Sequence, residues 1–127
     1  MSQKNKELVE KINQAFSENK PEDFLSFCAE DVKWEMAGEG IHTGKQSIRE
    51  FMSSMPGTEP PNFTVSGMIA EGDSVVCYGD MTMTAEGTEE NYSYCDIYRF
   101  SGDKVSELRS FVVKQKAEGE KDEAASA

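Results

Sequence analysis

The 127-residue sequence has no apolar run long enough to cross a lipid bilayer, and its first residues are charged rather than apolar. We therefore expect neither a membrane span nor a secretory signal, and we predict a cytoplasmic protein. Positive charge is scarce, because 13 lysines and arginines stand against 24 acidic residues, a formal net charge of −11. That charge repels phosphate backbones and anionic lipids, so neither nucleic acid nor a membrane surface is an expected partner.

Cysteine and histidine are also scarce. The cysteines Cys28, Cys77 and Cys95 are odd in number, lack a C-x-x-C spacing and lie in apolar or strand-like stretches, which is typical of reduced, buried thiols. The single histidine, His42, lies in a glycine-punctuated stretch, residues 38–44, where we expect a solvent-facing loop; the alternative is a proton carrier at a pocket mouth. No metal-ligating residues converge in the sequence, and we predict neither a metal nor a cofactor.

Apolar periodicity predicts three helices in the first half of the chain. Helical spacing predicts an amphipathic first helix over roughly the first twenty residues, ending at Asn19. Pro21 and the two acids after it favour the start of a short second helix, whose apolar face is predicted to include Phe27 and Cys28. A third helix is expected to begin near Lys45.

The apolar period changes to two in the second half of the chain, which is typical of strands. The predicted long strands are residues 62–71, 74–84, 90–101 and 105–114. Short glycine-bearing turns at 71–74 and 101–104 join neighbours, which should therefore pair antiparallel. A shorter strand, residues 32–36, precedes the third helix.

Helices first and strands last indicate an α+β fold with the helices on one face of a curved antiparallel sheet. The length leaves room for a single core. We place one domain at residues 1–115, followed by a charged tail at 116–127.

A lone carboxylate lies in an aromatic row of the third long strand. With a period of two, Asp96 shares a face with Tyr92, Tyr94, Tyr98 and Phe100. If that face is interior, loss of hydration should raise the pKa of Asp96 above its usual value of about 3.9, and a tyrosine hydroxyl could share its proton. If the face meets water, Asp96 is an ordinary surface acid.

Several segments resemble SnoaL-like proteins of the nuclear transport factor 2-like superfamily, which includes the ketosteroid isomerases. The matching segments are residues 27–34 (FCAEDVKW), 44–51 (GKQSIREF), 70–76 (AEGDSVV), 96–100 (DIYRF) and 104–109 (KVSELR). The resemblance covers about residues 5–114. It implies a cone-shaped, cystatin-like sheet wrapped around three helices, an interior pocket, and a homodimer packed through the outer sheet face.

The resemblance also implies where catalytic groups would lie. The base of the isomerases falls on Met36 here, and their helical tyrosine falls on Ile12, so both groups are missing. Asp96 falls on the acid that stabilises the oxyanion. Because no general base could remove an α-proton, standard steroid isomerase chemistry is not expected.

The same resemblance places a set of side chains around the pocket. Methionine adapts to ligands of varied shape, although each methionine alone could equally fill the core. The predicted lining consists of Ile12, Phe16, Trp34, Met36, Phe51, Met52, Met55, Cys77, Met81, Met83, Tyr94, Tyr98, Leu108, Ser110 and Val112.

Three functions stay open, because a fold does not select a reaction. The first is binding of a small apolar or polycyclic molecule, with Asp96 and a tyrosine as polar anchors. The second is a cofactor-independent isomerase, cyclase or lyase that uses Asp96 as acid or base. The third is a protein-interaction module that uses the open sheet face. A homodimer is expected through outer residues such as Val76, Ile97 and Val112, or their neighbours of opposite parity.

Overall fold

The computed structural model of the chain describes residues 2–53, 62–85 and 87–115. Its helices are α1 (Ser2–Ser17), α2 (Pro21–Ser26) and α3 (Lys45–Ser53). Its strands are β1 (Cys28–Met36), β2 (Gly40–Thr43), β3 (Asn62–Glu71), β4 (Ser74–Ala85), β5 (Thr88–Ser101) and β6 (Lys104–Lys114). The strands form one curved, unclosed sheet, which confirms the predicted α+β fold.

The sheet has the strand order β2-β1-β6-β5-β4-β3. From β3 to β6 each strand pairs antiparallel with the next, as the short turns predict. The β1–β6 pair is parallel, with Trp34 opposite Leu108 and Met36 opposite Ser110. No local turn joins these two strands, so their pairing is a non-local feature that turn signals do not contain.

The first helix ends as its sequence predicts. Asn19 has a positive φ of 56°, a conformation that asparagine tolerates better than most side chains. The backbone N–H of Lys20 then donates to the carbonyl of Ala15 at 2.8 Å, which satisfies one of the last free carbonyls of the helix.

The boundary between α2 and β1 differs from the prediction. The second helix ends at Ser26, and the strand begins at Cys28 rather than at residue 32. Phe27 and Cys28 are therefore not on a helical face, and the backbone N–H of Val105 donates to the carbonyl of Phe27 at 2.8 Å. Short apolar runs suit a helix or a buried strand equally, and here the contact with β6 decides.

The stretch 38–44 is more ordered than a solvent loop. Residues Gly40–Thr43 form β2, which pairs antiparallel with β1 and places His42 opposite Trp34. The His42 ring is half-buried and stacks on Phe51, with centroids 4.1 Å apart and an interplanar angle of 23°. The expectation of a solvent-facing histidine is therefore wrong, because α3 covers one face of the ring.

A bulge in β3 brings backbone close to β4. The register of β3 against β4 shifts between Val65 and Gly67. A Cβ atom at Gly79 would collide with the carbonyl oxygen of Thr64, so this position of β4 requires glycine. Bulges bend a sheet and increase its twist, which suits a sheet that curves around helices.

The core lies between the helices and the concave sheet face. Its fully buried side chains include Val9, Ile12, Phe24, Leu25, Cys28, Val32, Ile48, Val75, Cys77, Tyr98, Val105 and Leu108. Cys28, Cys77 and Cys95 are free thiols, and the first two are buried as predicted. Cys95 differs, because it is half-buried on the outer face of β5.

Candidate functional site

A row of three polar side chains crosses the concave face of the sheet. Asp96 on β5 lies opposite Cys77 on β4 and opposite Ser110 on β6. Met68 on β3 lies opposite Cys77, and Met36 on β1 lies opposite Ser110, so a methionine flanks the three polar residues on each side. We call Cys77, Asp96 and Ser110 the polar row. Cys77 and Ser110 are buried and Asp96 is half-buried, so the acid is on the interior face, as one of the two sequence alternatives required.

Ser110 links Asp96 to the indole of Trp34. The Nε1–H of Trp34 donates to Oγ of Ser110 at 2.9 Å, and the Ser110 side chain hydrogen-bonds Asp96. An indole N–H only donates, so Oγ of Ser110 is the acceptor there and its own proton can point to the carboxylate. The result is a chain of donors that runs from β1 through β6 to β5.

Burial raises the pKa of Asp96 to about 6, and the hydrogen bond from Ser110 opposes part of that rise. The predicted direction is therefore confirmed. Neither Arg99 nor Arg109 offsets this rise: Arg99 is exposed, and Arg109 pairs its Nε with Glu35 at 3.3 Å on the outer face. A carboxyl of that pKa is mostly ionised at pH 7, so Asp96 is then chiefly a hydrogen-bond acceptor rather than the neutral donor of the oxyanion interpretation.

The expected hydrogen bond between Asp96 and a tyrosine is not formed. The Tyr94 hydroxyl lies 4.0 Å from Sγ of Cys77, which also accepts from Nδ2 of Asn13 at 3.5 Å. The Tyr98 hydroxyl is buried and has no hydrogen-bond partner among the described residues. Serine, not tyrosine, is thus the polar neighbour of the acid, because cross-strand register brings Ser110 directly opposite.

The predicted lining residues divide by burial. Buried ones are Ile12, Trp34, Cys77, Tyr94, Tyr98, Leu108 and Ser110. Half-buried ones are Phe16, Met36, Phe51, Met52, Met81 and Met83. Val112 lies on the same face as Tyr94 but is 40% exposed, and Met55 lies outside the described residues.

Aromatic rings connect opposite sides of this interior. Consecutive centroids lie 5.5 Å apart from Phe51 to Trp34, 6.1 Å from Trp34 to Phe16, 6.3 Å from Phe16 to Phe63 and 5.5 Å from Phe63 to Tyr94. We call these five residues the aromatic belt. It meets the polar row at two points, since Trp34 bonds Ser110 and Tyr94 approaches Cys77.

Phe63 was missed by the sequence analysis. It packs against the core and lies opposite Met81 in the β3–β4 register. Phe63 is apolar and stands between the polar residues Asn62 and Thr64. That alternation is typical of a half-buried strand and could have identified Phe63 as an inward-facing residue. Five half-buried apolar side chains pack against the core and are partly exposed to solvent. We call this set the apolar rim: Met36, Phe51, Met52, Phe63 and Met81.

A surface groove of about 420 Å³ lies elsewhere, between α1 and α2. It is lined by Lys11, Gln14, Ala15, Glu18, Asp23, Ser26 and Phe27. None of these residues belongs to the polar row or to the apolar rim. Its charged walls are hydrated, and Glu18 already pairs with Lys20, so we place the candidate site at Asp96 instead.

The described residues lack two other kinds of site. Residues 2–53, 62–85 and 87–115 hold no group of three histidine, cysteine or acidic side chains arranged for a metal ion. In the same three ranges, no helix has the length and hydrophobicity needed to span a bilayer.

The fold is an α+β domain with an acid on the concave face of its curved sheet. Residues 9–108 match the SnoaL-like domain, and the chain belongs to that family. This confirms the resemblance found in the sequence. No curated protein matches the chain.

Solved structures share the fold. An NTF2-like protein from Cytophaga hutchinsonii is 25% identical, with a TM-score of 0.68 over 84% of this chain and 96% of its own. TerC, crystallised with polyporic acid, is 21% identical, with a TM-score of 0.75 over 84% of this chain and 89% of its own. A proposed SnoaL-like polyketide cyclase from Shewanella putrefaciens is 17% identical, with a TM-score of 0.78 over 89% of this chain and 91% of its own.

Proposed function

We propose that this chain binds a small apolar or polycyclic molecule, with the ligand body against the apolar rim and a polar group at Asp96. The observation that carries the proposal is the interior carboxyl of Asp96, which has a hydrogen-bond partner in Ser110 but no cation beside it among the residues that the structure describes. A carboxyl without a counter-ion is costly inside a fold, and such groups concentrate at functional sites.

The apolar rim supports the same proposal. Three of its five members are methionines, and methionine repacks easily around ligands of different shape. Binding sites for small molecules are commonly apolar with few polar anchors, which is the composition found here. The structure of TerC with polyporic acid adds a case in which a protein of this fold was crystallised with a small molecule.

Ligand extraction tests this function directly. Freshly purified protein is analysed by native mass spectrometry, and the extract is identified after denaturation. We expect bound small molecules on the wild type and on the surface control Asp103→Asn, with a changed or smaller set on Asp96→Asn. If no compound is retained and a thermal-shift screen of aromatic and polycyclic compounds finds none, the binding function is wrong.

An acid–base enzyme is the second candidate, and one observation favours it. Burial raises the pKa of Asp96 to about 6, close to neutral pH, where a general base combines availability with proton affinity. An isomerase, cyclase or lyase of this kind would exchange a ligand proton with solvent. Incubation of an extracted ligand in D₂O, with wild type and with Asp96→Asn, would show deuterium uptake only with the wild type.

We also propose that a second copy of the chain covers the outer sheet face. That face exposes a continuous apolar strip whose members include Ile69 at 60%, Tyr78 at 40% and Val113 at 66% exposure. Val76 and Ile97 lie between them and are half-buried. Val112, named from the sequence as an outer residue, is on the concave side, so the outer residues of β6 are its neighbours.

A further inference from the structure

The groups that face Asp96 are uncharged. Cys77 faces it from β4 and Ser110 from β6, while Tyr94 and Tyr98 flank it on its own strand. Burial raises the pKa of Cys77, Tyr94 and Tyr98, so the thiol and both hydroxyls stay protonated at neutral pH. The remaining polar groups around the row are the Trp34 indole, bonded to Ser110, and the Asn13 amide on α1, bonded to Cys77.

Three cations of the described residues are paired with acids other than Asp96. Lys45 pairs with Glu30 at 3.1 Å and Arg49 with Glu22 at 2.6 Å, both near α3. Arg109 pairs with Glu35 and lies over the Phe111 ring, 5.1 Å from its centroid. Within residues 2–53, 62–85 and 87–115, burial and the Ser110 hydrogen bond are what shift the pKa of Asp96, and no cation contributes. Within the described part of the chain, this interior carboxyl thus lacks the positive charge that interior carboxylates usually receive.

The surroundings of Asp96 favour positive charge. The formal net charge of −11 draws cations toward the whole molecule and repels anions. Ser110 occupies only part of the carboxylate's acceptor capacity, so Asp96 can accept further hydrogen bonds.

We infer that the site selects a monovalent organic cation: a molecule with an apolar or aromatic body and one protonated amine, whose N–H groups donate to the carboxylate of Asp96. This inference rests on the proposed small-molecule binding and specifies its ligand class. The amine supplies the missing positive charge, and the apolar rim receives the body. A carboxylate ligand of the same shape is rejected by Asp96.

Matched probes test the charge preference by isothermal titration calorimetry at pH 7.5. The probes share one ring system: 1-naphthylmethylamine, 1-naphthalenemethanol and 1-naphthoate. We expect the amine to bind the wild type about tenfold more tightly than the alcohol, and naphthoate to bind most weakly. Asp96→Asn should remove the advantage of the amine and leave the affinity for the alcohol within about twofold, while the surface control Asp103→Asn should retain it.

The pH dependence provides a second readout that needs no variant of Asp96. Because the carboxyl takes up a proton as pH falls, the affinity for the amine should fall about tenfold from pH 7 to pH 5, while that for the alcohol should not fall. His42, the single histidine of the sequence, stacks on Phe51 of the apolar rim, and the same fall should persist in His42→Gln if Asp96 causes it. Loss of the pH dependence in that variant would overturn the assignment to Asp96.

The outcomes separate this inference from the function on which it rests. If none of the three probes binds the wild type, the binding function itself is unsupported. If the alcohol or naphthoate binds as tightly as the amine, binding stands and the cation preference is wrong. If Asp96→Asn fails to fold, the probe series and the pH profile of the wild type still decide.

Discussion

The indole N–H of Trp34 lies 2.9 Å from Oγ of Ser110, and this contact joins β1 to β6 directly beside Asp96. The two residues are 76 positions apart in the chain. Their strands pair in parallel, so the contact forms only when the first and last strands of the chain meet in the middle of the sheet. The polar contacts around Asp96 therefore depend on the pairing of β1 with β6, not on the sequence next to Asp96.

Ser110→Ala should raise the pKa of Asp96 further, because the Ser110 hydrogen bond is the contribution that lowers it. The variant also leaves the buried Trp34 N–H without its acceptor, which should cost about 1–3 kcal/mol of folding free energy. An NMR titration of the Asp96 carboxyl carbon gives the first quantity, and denaturant unfolding gives the second. Ser93→Ala, on the exposed face of the same sheet, is the control. An unchanged or lower pKa of Asp96 in Ser110→Ala would show that Ser110 does not stabilise the ionised carboxylate of Asp96.

Asp96→Asn should make the fold more stable at neutral pH than the wild type. The folded-state pKa of Asp96 is raised from 3.8 to about 6, so the unfolded chain releases this proton at lower pH than the native one. Ionisation therefore destabilises the native state progressively from about pH 4 to pH 6, by about 2–3 kcal/mol in total.

Unfolding free energies measured between pH 4 and pH 7 check this sign. The difference between Asp96→Asn and wild type should grow with pH and level off above the pKa of Asp96. Exposed acids such as Glu22 have lowered pKa values and act in the opposite direction, but they are common to both proteins and cancel in the difference. If the difference in unfolding free energy between Asp96→Asn and the wild type does not vary with pH, the carboxyl of Asp96 is solvated in the folded protein.

Met81→Lys should abolish binding of apolar dyes, because it puts a charge on the apolar rim. Met81 is half-buried, so part of the new side chain can reach water, and the cost in stability should stay at about 1–3 kcal/mol. Dye fluorescence and thermal unfolding measure the two effects. Thr88→Lys, at an exposed position, should change neither. Complete loss of folding in Met81→Lys would place Met81 in the core rather than at a binding surface.

Gly79→Ala should destabilise the fold more than Gly67→Ala. At Gly79 the new methyl group meets the backbone of Thr64, which cannot move without breaking the β3–β4 pairing. At Gly67 it meets the far end of the Tyr78 side chain, which can rotate away. We expect about 2–3 kcal/mol for the first variant and about 1 kcal/mol or less for the second. Equal midpoints in denaturant would contradict the close approach at Gly79.

Ile97→Glu should convert a dimer into monomers, because it places a new charge on the apolar outer strip, directly opposite Val76. Sedimentation velocity at micromolar concentration should then show a 14.1 kDa species for the variant and twice that mass for the wild type. Ser101→Glu, at an exposed strand end, should remain dimeric. A wild type that sediments only as the monomer would refute the proposed interface.

Local sequence patterns were sufficient for most of the elements. The change of period from helical spacing to two located β3 to β6 within a few residues, because side chains of a strand alternate between faces wherever one face is buried. The same alternation put Asp96 on the aromatic face and predicted a raised pKa if that face is interior. The sequence left the interior and solvent-facing alternatives open, and the structure decides for the interior.

The neighbours of that acid were decided by tertiary structure. Alternation along a strand predicts which face a side chain occupies, but not which residue of the neighbouring strand lies opposite it. A hydrogen bond between Asp96 and Tyr94 or Tyr98 was therefore expected. The strand register instead places Ser110 opposite Asp96, and Ser110 makes the hydrogen bond. The pairing of β1 with β6 and the stacking of His42 on Phe51 are equally non-local. These contacts join segments far apart in sequence, and they are fixed by the packing of the whole sheet against its helices, which no short pattern encodes.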